Sequence, residues 1–233
     1  MTLVTRSLTV QIGGVRALDG LNLTIEPGIS GLVGPNGAGK TTFLNVLSGF
    51  VKPLTGSVTY DGADLLGMPP HKRARWGLRR TFQQEQLALG LSAADNVLAT
   101  AENIGAGRRE VTDTLAAVGL TAADRPAAEL SMLERRLLEL AQVMVGSPRL
   151  IVLDEPGAGL SEAETEVLVP VIRTIAAWTG VSVVLVDHDM DFVSALCVQL
   201  AVLDFGLLIA NGPTAEVLTD PVVRRAYLGD EEF

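Results

Sequence analysis

Apolar residues follow two different patterns along this chain. In residues 3–25 apolar and polar positions alternate between glycine-containing turns, which predicts antiparallel strands, and a second such pair is predicted near residues 56–62. In residues 150–153 and 181–186 the apolar runs are nearly continuous. Such runs are typical of strands that are covered on both faces, as in a parallel sheet.

Other segments have helical periodicity. Apolar residues recur at helical spacing in residues 162–177, where Pro170 is expected to cause a kink, and throughout residues 84–146. We therefore predict one α/β domain over residues 1–233. Its core is expected to comprise residues 1–83 and 147–233 and to include an antiparallel β subdomain, with residues 84–146 inserted as a helical subdomain.

The most informative motif is GxxxxGK[ST], which directly follows an apolar run. Its residues are Gly34, Pro35, Asn36, Gly37, Ala38, Gly39, Lys40, Thr41 and Thr42. Glycines let the backbone adopt positive φ, so that several amide N–H groups can face one anion. Lys40 adds a charge for the β- and γ-phosphates, and Thr41 offers a hydroxyl to Mg²⁺. The alternative is an ordinary glycine-rich turn, but a helix predicted from Thr41 to about Ser48 completes a strand, loop and helix that suit phosphate binding.

Polar residues follow both buried strands. Asp154 and Glu155 come directly after residues 150–153, and His188 comes shortly after residues 181–186. Ligands bind at such strand ends in open α/β sheets. Asp154 is suited to Mg²⁺, Glu155 to orienting and deprotonating an attacking water, and His188 to hydrogen bonding the γ-phosphate. The alternatives are a solvated acidic pair and a structural histidine.

Charge and cysteine content narrow the function. The formal net charge of −9 argues against a general nucleic-acid binder, so no nucleic-acid partner is predicted. The basic residues within 72–80 are expected to form a solvated helix face, with nucleic-acid contact as the less favoured alternative, and His71 is placed in a loop without a role. Cys197 is the single cysteine and is expected to be a small buried hydrophobe. No apolar run approaches the ~18–20 residues of a membrane-spanning helix.

In combination, these motifs resemble those of the ATP-binding-cassette (ABC) ATPases over the whole chain. Thr81-Phe82-Gln83 resembles the glutamine loop, which implies that Gln83 is a ligand of Mg²⁺ and water. Residues 130–134 occupy the signature position, and residues 159–161 that of the dimer-contact loop. His188 occupies the place of the switch histidine. The resemblance implies a P-loop NTPase fold with a RecA-like core, and ATP and Mg²⁺ as cofactors.

Within that family the chain looks most like the ATPase subunits of branched-chain amino-acid importers. The resemblance is carried by residues 41–83 and by the tail, residues 210–229. It implies integral-membrane permease subunits as partners, with a coupling helix received in the groove around Gln83. It also implies a second cassette, an extracytoplasmic solute-binding protein acting indirectly, and a cytoplasmic location on the inner face of the membrane.

The chain departs from the family pattern at two contacts to nucleotide. Met132 and Leu133 replace the signature glycines and Glu134 replaces glutamine, so that only Ser131 survives to contact a nucleotide across the dimer. Ile12 occupies the position of the adenine-stacking aromatic and offers no π face. We therefore expect a heterodimer with one competent and one degenerate site. The alternatives are a hydrolysis-poor regulatory or structural subunit and, less favoured, a soluble cassette in translation or DNA repair.

Overall fold

The computed structural model describes residues 1–228, which form two β-sheets with helices packed around them. The strands are β1 (Leu3–Ile12), β2 (Val15–Ile25), β3 (Gly28–Val33), β4 (Thr55–Tyr60), β5 (Ala63–Asp64), β6 (Leu78–Arg80), β7 (Leu150–Asp154), β8 (Ser182–Val186), β9 (Gln199–Asp204) and β10 (Leu207–Pro213). The helices are α1 (Lys40–Ser48), α2 (Pro70–Trp76), α3 (Ala93–Ile104), α4 (Arg108–Ala117), α5 (Met132–Met144), α6 (Glu162–Thr179), α7 (Met190–Leu196), α8 (Thr214–Val217) and α9 (Pro221–Leu228). Residues 229–233, the end of the predicted core, lie outside the described residues.

The smaller sheet has the order β2-β1-β4-β5 and is antiparallel throughout. Along β1 the buried positions Leu8 and Val10 alternate with more accessible ones, because one face packs on the core and the other faces outward. The antiparallel strands predicted for residues 3–25 and near residues 56–62 are confirmed.

The larger sheet has the order β10-β9-β3-β8-β7-β6, and its strands are parallel apart from β10. All residues of β7 and β8 are buried, which confirms the parallel arrangement expected from their continuous apolar runs. Asp154 pairs with Val186 at the carboxyl ends of these strands. The sheet therefore brings the polar residues after both strands to the same edge.

Helices α3, α4 and α5 occupy the chain between the two halves of the larger sheet. Their apolar faces share one core, in which Val111, Leu115 and Leu140 are buried. The helical character predicted for this part of the chain is confirmed, whereas its division from the rest as a subdomain at residues 84 and 146 stays a proposal. Helix α6 continues through Pro170 as one helix.

His71 lies in helix α2 and not in a loop, so that prediction was wrong. The helix begins at Pro70, and proline suits the first helical position because it lacks an N–H group that would be unpaired there. The Pro69-Pro70 pair suggested a loop, whereas it marks the start of a helix. His71 is exposed.

The basic residues that follow form a solvated helix face only in part, which corrects a second prediction: Lys72 and Arg75 are exposed on α2, whereas Arg73, Arg79 and Arg80 are not part of that face. Arg73 is 4% exposed and donates to the carbonyl oxygens of Met68 (2.8 Å) and Leu47 (2.7 Å), so that it caps the end of α1. Arg79 and Arg80 belong to strand β6, where Arg79 is buried and the side chain of Arg80 is 5% exposed. These two arginines were grouped with the helix before them because a strand of only three residues has no measurable period.

Cys197 is buried, as expected. It is 5% exposed, and burial raises the pKa of its thiol to about 12. A thiol that stays protonated at neutral pH is a poor nucleophile, so Cys197 acts as a core residue.

We predict that Leu138→Ala lowers the free energy of unfolding by about 2–5 kcal/mol, because Leu138 is fully buried in the core beside α3 and α4. Val167→Ala on α6 is the matched control, since Val167 is 43% exposed and should change stability by about 0.5 kcal/mol or less. Urea denaturation followed by circular dichroism measures both. Equal losses in the two variants would contradict the assignment of the core.

Candidate nucleotide site

The loop between β3 and α1 is held against two neighbouring strands. Gly34 and Gly39 have φ values of 148° and 106°. A Cβ atom on Gly34 would lie 2.1 Å from the carbonyl oxygen of Leu203, and one on Gly39 would lie 2.4 Å from that of Ala17. Glycine is required at both positions because the obstructing atoms are backbone and cannot rotate away.

The opposite side of the loop is open. Gly37 has φ 83°, and no heavy atom lies within 4 Å of the place where its Cβ would be. Helix α1 begins at Lys40 without a side-chain cap, so that the N–H groups of its first turn remain available to a ligand. A free helix N-terminus that continues from a glycine loop is suited to phosphate.

Lys40 lies over the loop. Its Nζ donates to the carbonyl oxygens of Gly34 and, at 2.9 Å, of Pro35. Burial lowers the pKa of the Lys40 ammonium, while the nearby charges of Glu155 and Asp154 act in the opposite direction. The cation is thus held where an anionic ligand would replace carbonyl oxygens as its acceptor.

A cavity of about 170 Å³ opens at this loop. Its walls are formed by Ala17, Asn36, Gly37, Ala38, Gly39, Lys40, Thr41, Thr42, Gln83 and Glu155. The fold therefore brings the predicted water-orienting carboxylate and the predicted glutamine-loop residue to the phosphate loop, although they lie far apart in the sequence. We refer to this space as the phosphate cavity.

Asp154 lies at the end of β7 and is 5% exposed. Its Oδ2 accepts a hydrogen bond from Nη2 of Arg80 at 2.8 Å, and its N–H group donates to Oγ1 of Thr81 at 3.0 Å. Sequence analysis missed Arg80 because it was grouped with the basic residues before it. Its position next to Thr81-Phe82-Gln83 was the available signal.

Glu155 has an unusual backbone conformation, with φ 51°. Its N–H group donates to the carbonyl oxygen of Val186 at 2.7 Å, which fixes the chain where β7 leaves the sheet. Non-glycine residues with positive φ are strained and occur at functional sites. The strain here turns the half-buried side chain into the phosphate cavity.

His188 lies in a different, larger cavity. Its side chain is 74% exposed, with Nδ1 3.6 Å from Oδ1 of the buried Asp187. Burial raises the pKa of Asp187, whose carboxylate accepts the N–H groups of His188 (2.8 Å) and Asp189 (3.1 Å). The cavity measures about 590 Å³ and is also lined by residues 157–160, which include the first two residues of the dimer-contact loop. In residues 1–228, His188 is not part of the wall of the phosphate cavity.

Within residues 1–228, Ile12 does not line the phosphate cavity either. It lies at the end of β1, is 52% exposed and pairs with Val15 across the turn to β2. Its role toward adenine therefore stays a prediction.

The signature position forms the start of helix α5. Oγ of Ser131 accepts the N–H group of Glu134 at 3.2 Å, and the Glu134 carboxylate accepts the N–H group of Ser131 at 2.7 Å. Glu134 also forms an ion pair with Arg125 at 3.0 Å. The hydrogen bond from the Ser131 N–H group is the main cause that lowers the pKa of the Glu134 carboxylate, and the positive charge of Arg125 lowers it further. This reciprocal cap gives the helix N-terminus an acceptor from its own chain.

The oxygen-bearing side chains predicted to hold Mg²⁺ fit that ion. Thr41 and Gln83 line the phosphate cavity, and the Asp154 carboxylate lies close enough to Lys40 to interact with its charge. Over residues 1–228 no group of three or more His, Cys, Asp and Glu side chains could hold a metal ion by itself. A site with few carboxylates suits Mg²⁺, which retains waters and takes phosphate oxygens as ligands.

Comparison with known proteins decides the family. A family model described as "ABC transporter" matches residues 18–158, and one described as "Branched-chain amino acid ATP-binding cassette transporter" matches residues 208–232. The chain is an ABC transporter ATP-binding cassette.

The cassette has relatives over nearly its full length. It is 36% identical over 244 residues to the high-affinity branched-chain amino acid transport ATP-binding protein BraF of Pseudomonas aeruginosa, with 96% of each chain covered. It is 34% identical over 249 residues to LivG of Escherichia coli, a protein of the same description, with 98% of each covered. The ADP conformation of MJ1267, an ATP-binding cassette of an ABC transporter, superposes with a TM-score of 0.88 at 27% identity, over 99% of this chain and 100% of that one.

These findings confirm the predicted family, its α/β P-loop fold and its ATPase class. The cassette belongs to a family that binds and hydrolyses ATP. In residues 1–228 no helix is both long and apolar enough to cross a membrane.

We predict that Gly39→Ala lowers ATP affinity by at least about tenfold, because a Cβ there would meet a backbone oxygen and the loop would have to shift. Gly37→Ala is the matched control: its φ is also positive, but its Cβ would meet no neighbour, so a smaller loss is expected. Calorimetric titration with ATP measures both. An equal effect of the two substitutions would show that the contact with β2 does not shape the loop.

Proposed function

We propose that this cassette is the ATPase subunit of an importer for branched-chain amino acids or a related small solute, which passes through a separate permease. The observation that carries the proposal is the phosphate cavity, where Lys40, Gln83 and Glu155 meet beside the buried Asp154. The choice of solute is supported by the relatives, which are described as branched-chain amino acid transport proteins.

The residues of the cavity have different roles in hydrolysis. The amide groups of Gly37, Gly39 and α1, together with Lys40, hold the phosphates of ATP and balance their charge. The carboxylate of Glu155 accepts a proton from the water that attacks the γ-phosphate. Gln83, which lines the same cavity, orients that water.

Thr41, Asp154 and Gln83 would hold Mg²⁺, which supplies positive charge to the β- and γ-phosphate oxygens. His188 lies outside the phosphate cavity, so its contact with the γ-phosphate requires that its exposed side chain turn toward the nucleotide. We propose that this happens when two cassettes close on ATP. Ile12 and Ser131 are proposed as contacts of adenine and of the partner's nucleotide, respectively.

We predict that Glu155→Gln lowers ATP turnover by roughly 10²–10⁴-fold while ATP affinity is retained, because the amide keeps the shape of the side chain but cannot accept the proton. A phosphate-release assay with the second cassette present measures turnover, and calorimetry on the chain alone measures ATP affinity. Turnover equal to that of the wild type would exclude Glu155 as the base.

The partners follow from the proposed transport role. We propose that the cassette lies on the cytoplasmic face of the membrane against integral-membrane permease subunits, and that a solute-binding protein delivers solute on the other side. The groove next to Gln83 is the proposed site of a permease coupling helix. A cavity of about 210 Å³ lies there, between strand β6 and helices α3 and α5.

We propose further that a second, different cassette completes the catalytic dimer. In ABC dimers the signature helix of each subunit points its N-terminus at the nucleotide of the other. In this chain the carboxylate of Glu134 already accepts the N–H group of Ser131 at the start of α5, and the side chains of Met132 and Leu133 stand where glycines would admit a phosphate. This chain would therefore provide a complete phosphate loop for the nucleotide that it binds itself, but only a poor signature contact for the nucleotide that its partner binds.

A hydrolysis-poor regulatory subunit is the second candidate function. The same cap at Glu134 favours it, since a homodimer would contain two signatures blocked in this way. The conformation of Glu155 and its place in the phosphate cavity favour hydrolysis.

We predict that the lone chain carrying Glu155→Gln stays monomeric with ATP, and that adding Met132→Gly, Leu133→Gly and Glu134→Gln produces an ATP-dependent dimer. The added substitutions free the N-terminus of α5 for the γ-phosphate of a second copy. Size-exclusion chromatography with light scattering, with and without ATP, measures the mass.

Helix α6 offers a matched control. It carries the same reciprocal cap, formed by Ser161 and Glu164, so Glu164→Gln removes a capping carboxylate without touching the signature. This control should remain monomeric. ATP-dependent dimers of the parent chain, or a signature variant that stays monomeric, would contradict the blocked signature.

A further inference from the structure

Arg80 connects three parts of the nucleotide site that are distant in the sequence. Its Nη2 donates to Oδ2 of Asp154 at 2.8 Å, and its Nη1 donates to Oδ1 of Asn45 at 2.8 Å and to Oγ of Ser48 at 3.2 Å. Asn45 and Ser48 belong to α1, the helix that begins at the phosphate loop. One guanidinium therefore joins the proposed metal ligand to the phosphate-binding helix.

Arg80 is also tied to the glutamine loop. Its Cζ lies 5.0 Å from the ring centroid of Phe82, a cation–π contact, and Phe82 lies 6.1 Å from Phe50 just after α1. The next residue, Thr81, accepts the N–H group of Asp154 and donates its own N–H group to Val152. The start of the glutamine loop and the end of β7 are thus fastened together at Thr81, directly after Arg80.

The ion pair between Arg80 and Asp154 is almost completely buried. Their side chains are 5% and 4% exposed. Removing one partner of such a pair leaves a charge without its counter-ion in a place that water hardly reaches, which is costly. Asp154 therefore depends on Arg80 to stay in one orientation.

Lys40 is the cation that would compete for Asp154 if Arg80 were absent. It already interacts electrostatically with Asp154 and with Glu155. If Lys40 turned to Asp154, both groups would leave their proposed tasks, which are to hold phosphate and Mg²⁺. In the structure Arg80 occupies Oδ2 of Asp154, and Oδ1 of Asp154 has no donor among the described residues.

We propose that Arg80 is a positioning residue for the metal site: it fixes Asp154 through Oδ2 so that Oδ1 faces Mg²⁺, and it holds this carboxylate in register with α1 and the glutamine loop. The inference rests on the proposed Mg²⁺ site. It adds a residue that the phosphate cavity does not contain, since Arg80 lies behind Asp154 and contributes to the separate cavity of about 210 Å³ beside α3 and α5.

The test measures how much Mg²⁺ strengthens ATP binding. Calorimetric titrations with ATP are done on the chain with Glu155→Gln, in Mg²⁺ and in chelator, and the ratio of the two dissociation constants defines the metal increment. In Arg80→Gln we expect this increment to fall by about 10–100-fold, as for other residues that orient a metal ligand. Affinity in chelator should change by less than about twofold, because the loop itself holds the phosphates.

Arg79→Gln is the matched control. Arg79 precedes Arg80 on β6, is 8% exposed and bonds to the carbonyl oxygens of Ala74 and Leu78, without a carboxylate partner in the described residues. Its loss should lower the thermal midpoint and leave the metal increment unchanged. This separates positioning of the metal ligand from a general effect of removing a buried arginine.

Arg80→Lys and Asn45→Ala keep the proposal testable if Arg80→Gln does not fold. Lysine retains the charge but cannot bridge Asp154 and Asn45 with a planar fork, so a partial loss of the increment is expected. Asn45→Ala removes the 2.8 Å acceptor on α1, and a smaller loss in the same direction is expected.

Each outcome has one meaning. No metal increment in the parent would refute the proposed Mg²⁺ site itself. A normal increment in the parent that persists or grows in Arg80→Gln, or in Arg80→Lys when the former does not fold, would overturn the positioning role. A fall of the increment in both Arg79→Gln and Arg80→Gln would also overturn it, because loss of a buried arginine would then weaken the metal site whether or not that arginine contacts Asp154.

Discussion

The close approach of the phosphate loop to strands β9 and β2 is the constraint on which the nucleotide site depends. Gly34 and Gly39 are pressed against the backbone oxygens of Leu203 and Ala17, whereas Gly37 lies on the open side of the loop. Gly206, after β9, donates its N–H group to Ala38 at 3.0 Å and closes the contact. The loop is thus shaped by the sheet before any ligand arrives, and this lowers the entropy cost of binding phosphate.

The parallel order of β3, β8 and β7 then decides which side chains reach that loop. Asp154 and Glu155 leave the sheet next to the loop because the carboxyl ends of parallel strands share one edge. The charged groups at this edge lie at two different depths below the protein surface. The Lys40 ammonium lies over the loop beside the Glu155 side chain, and the ion pair of Arg80 and Asp154 lies buried behind them. Separation of the two cations leaves each carboxylate available for a different task.

The sequence predicted the parts of this arrangement that follow from short patterns. The glycine loop, the buried strands β7 and β8 and the antiparallel strands β1 and β2 each have a local signature, and the structure has them where expected. The basic residues near β6 were misassigned because a strand of three residues has no measurable period. Burial of Arg73, Arg79 and Arg80 depends on contacts with α1, α2 and β7, which no local pattern reveals. Likewise, the sequence places the Glu134 carboxylate at the signature position, but only the structure shows that it accepts a hydrogen bond from the Ser131 N–H group at the start of α5.

A crystal structure of the Glu155→Gln chain with ATP and Mg²⁺ tests the central claim most directly. The account predicts that the β- and γ-phosphates lie on the amide groups of the loop, and that Lys40 Nζ has exchanged the carbonyl oxygens of Gly34 and Pro35 for phosphate oxygens. Phosphates bound elsewhere, or a Lys40 still bonded to its own loop beside a bound nucleotide, would contradict it.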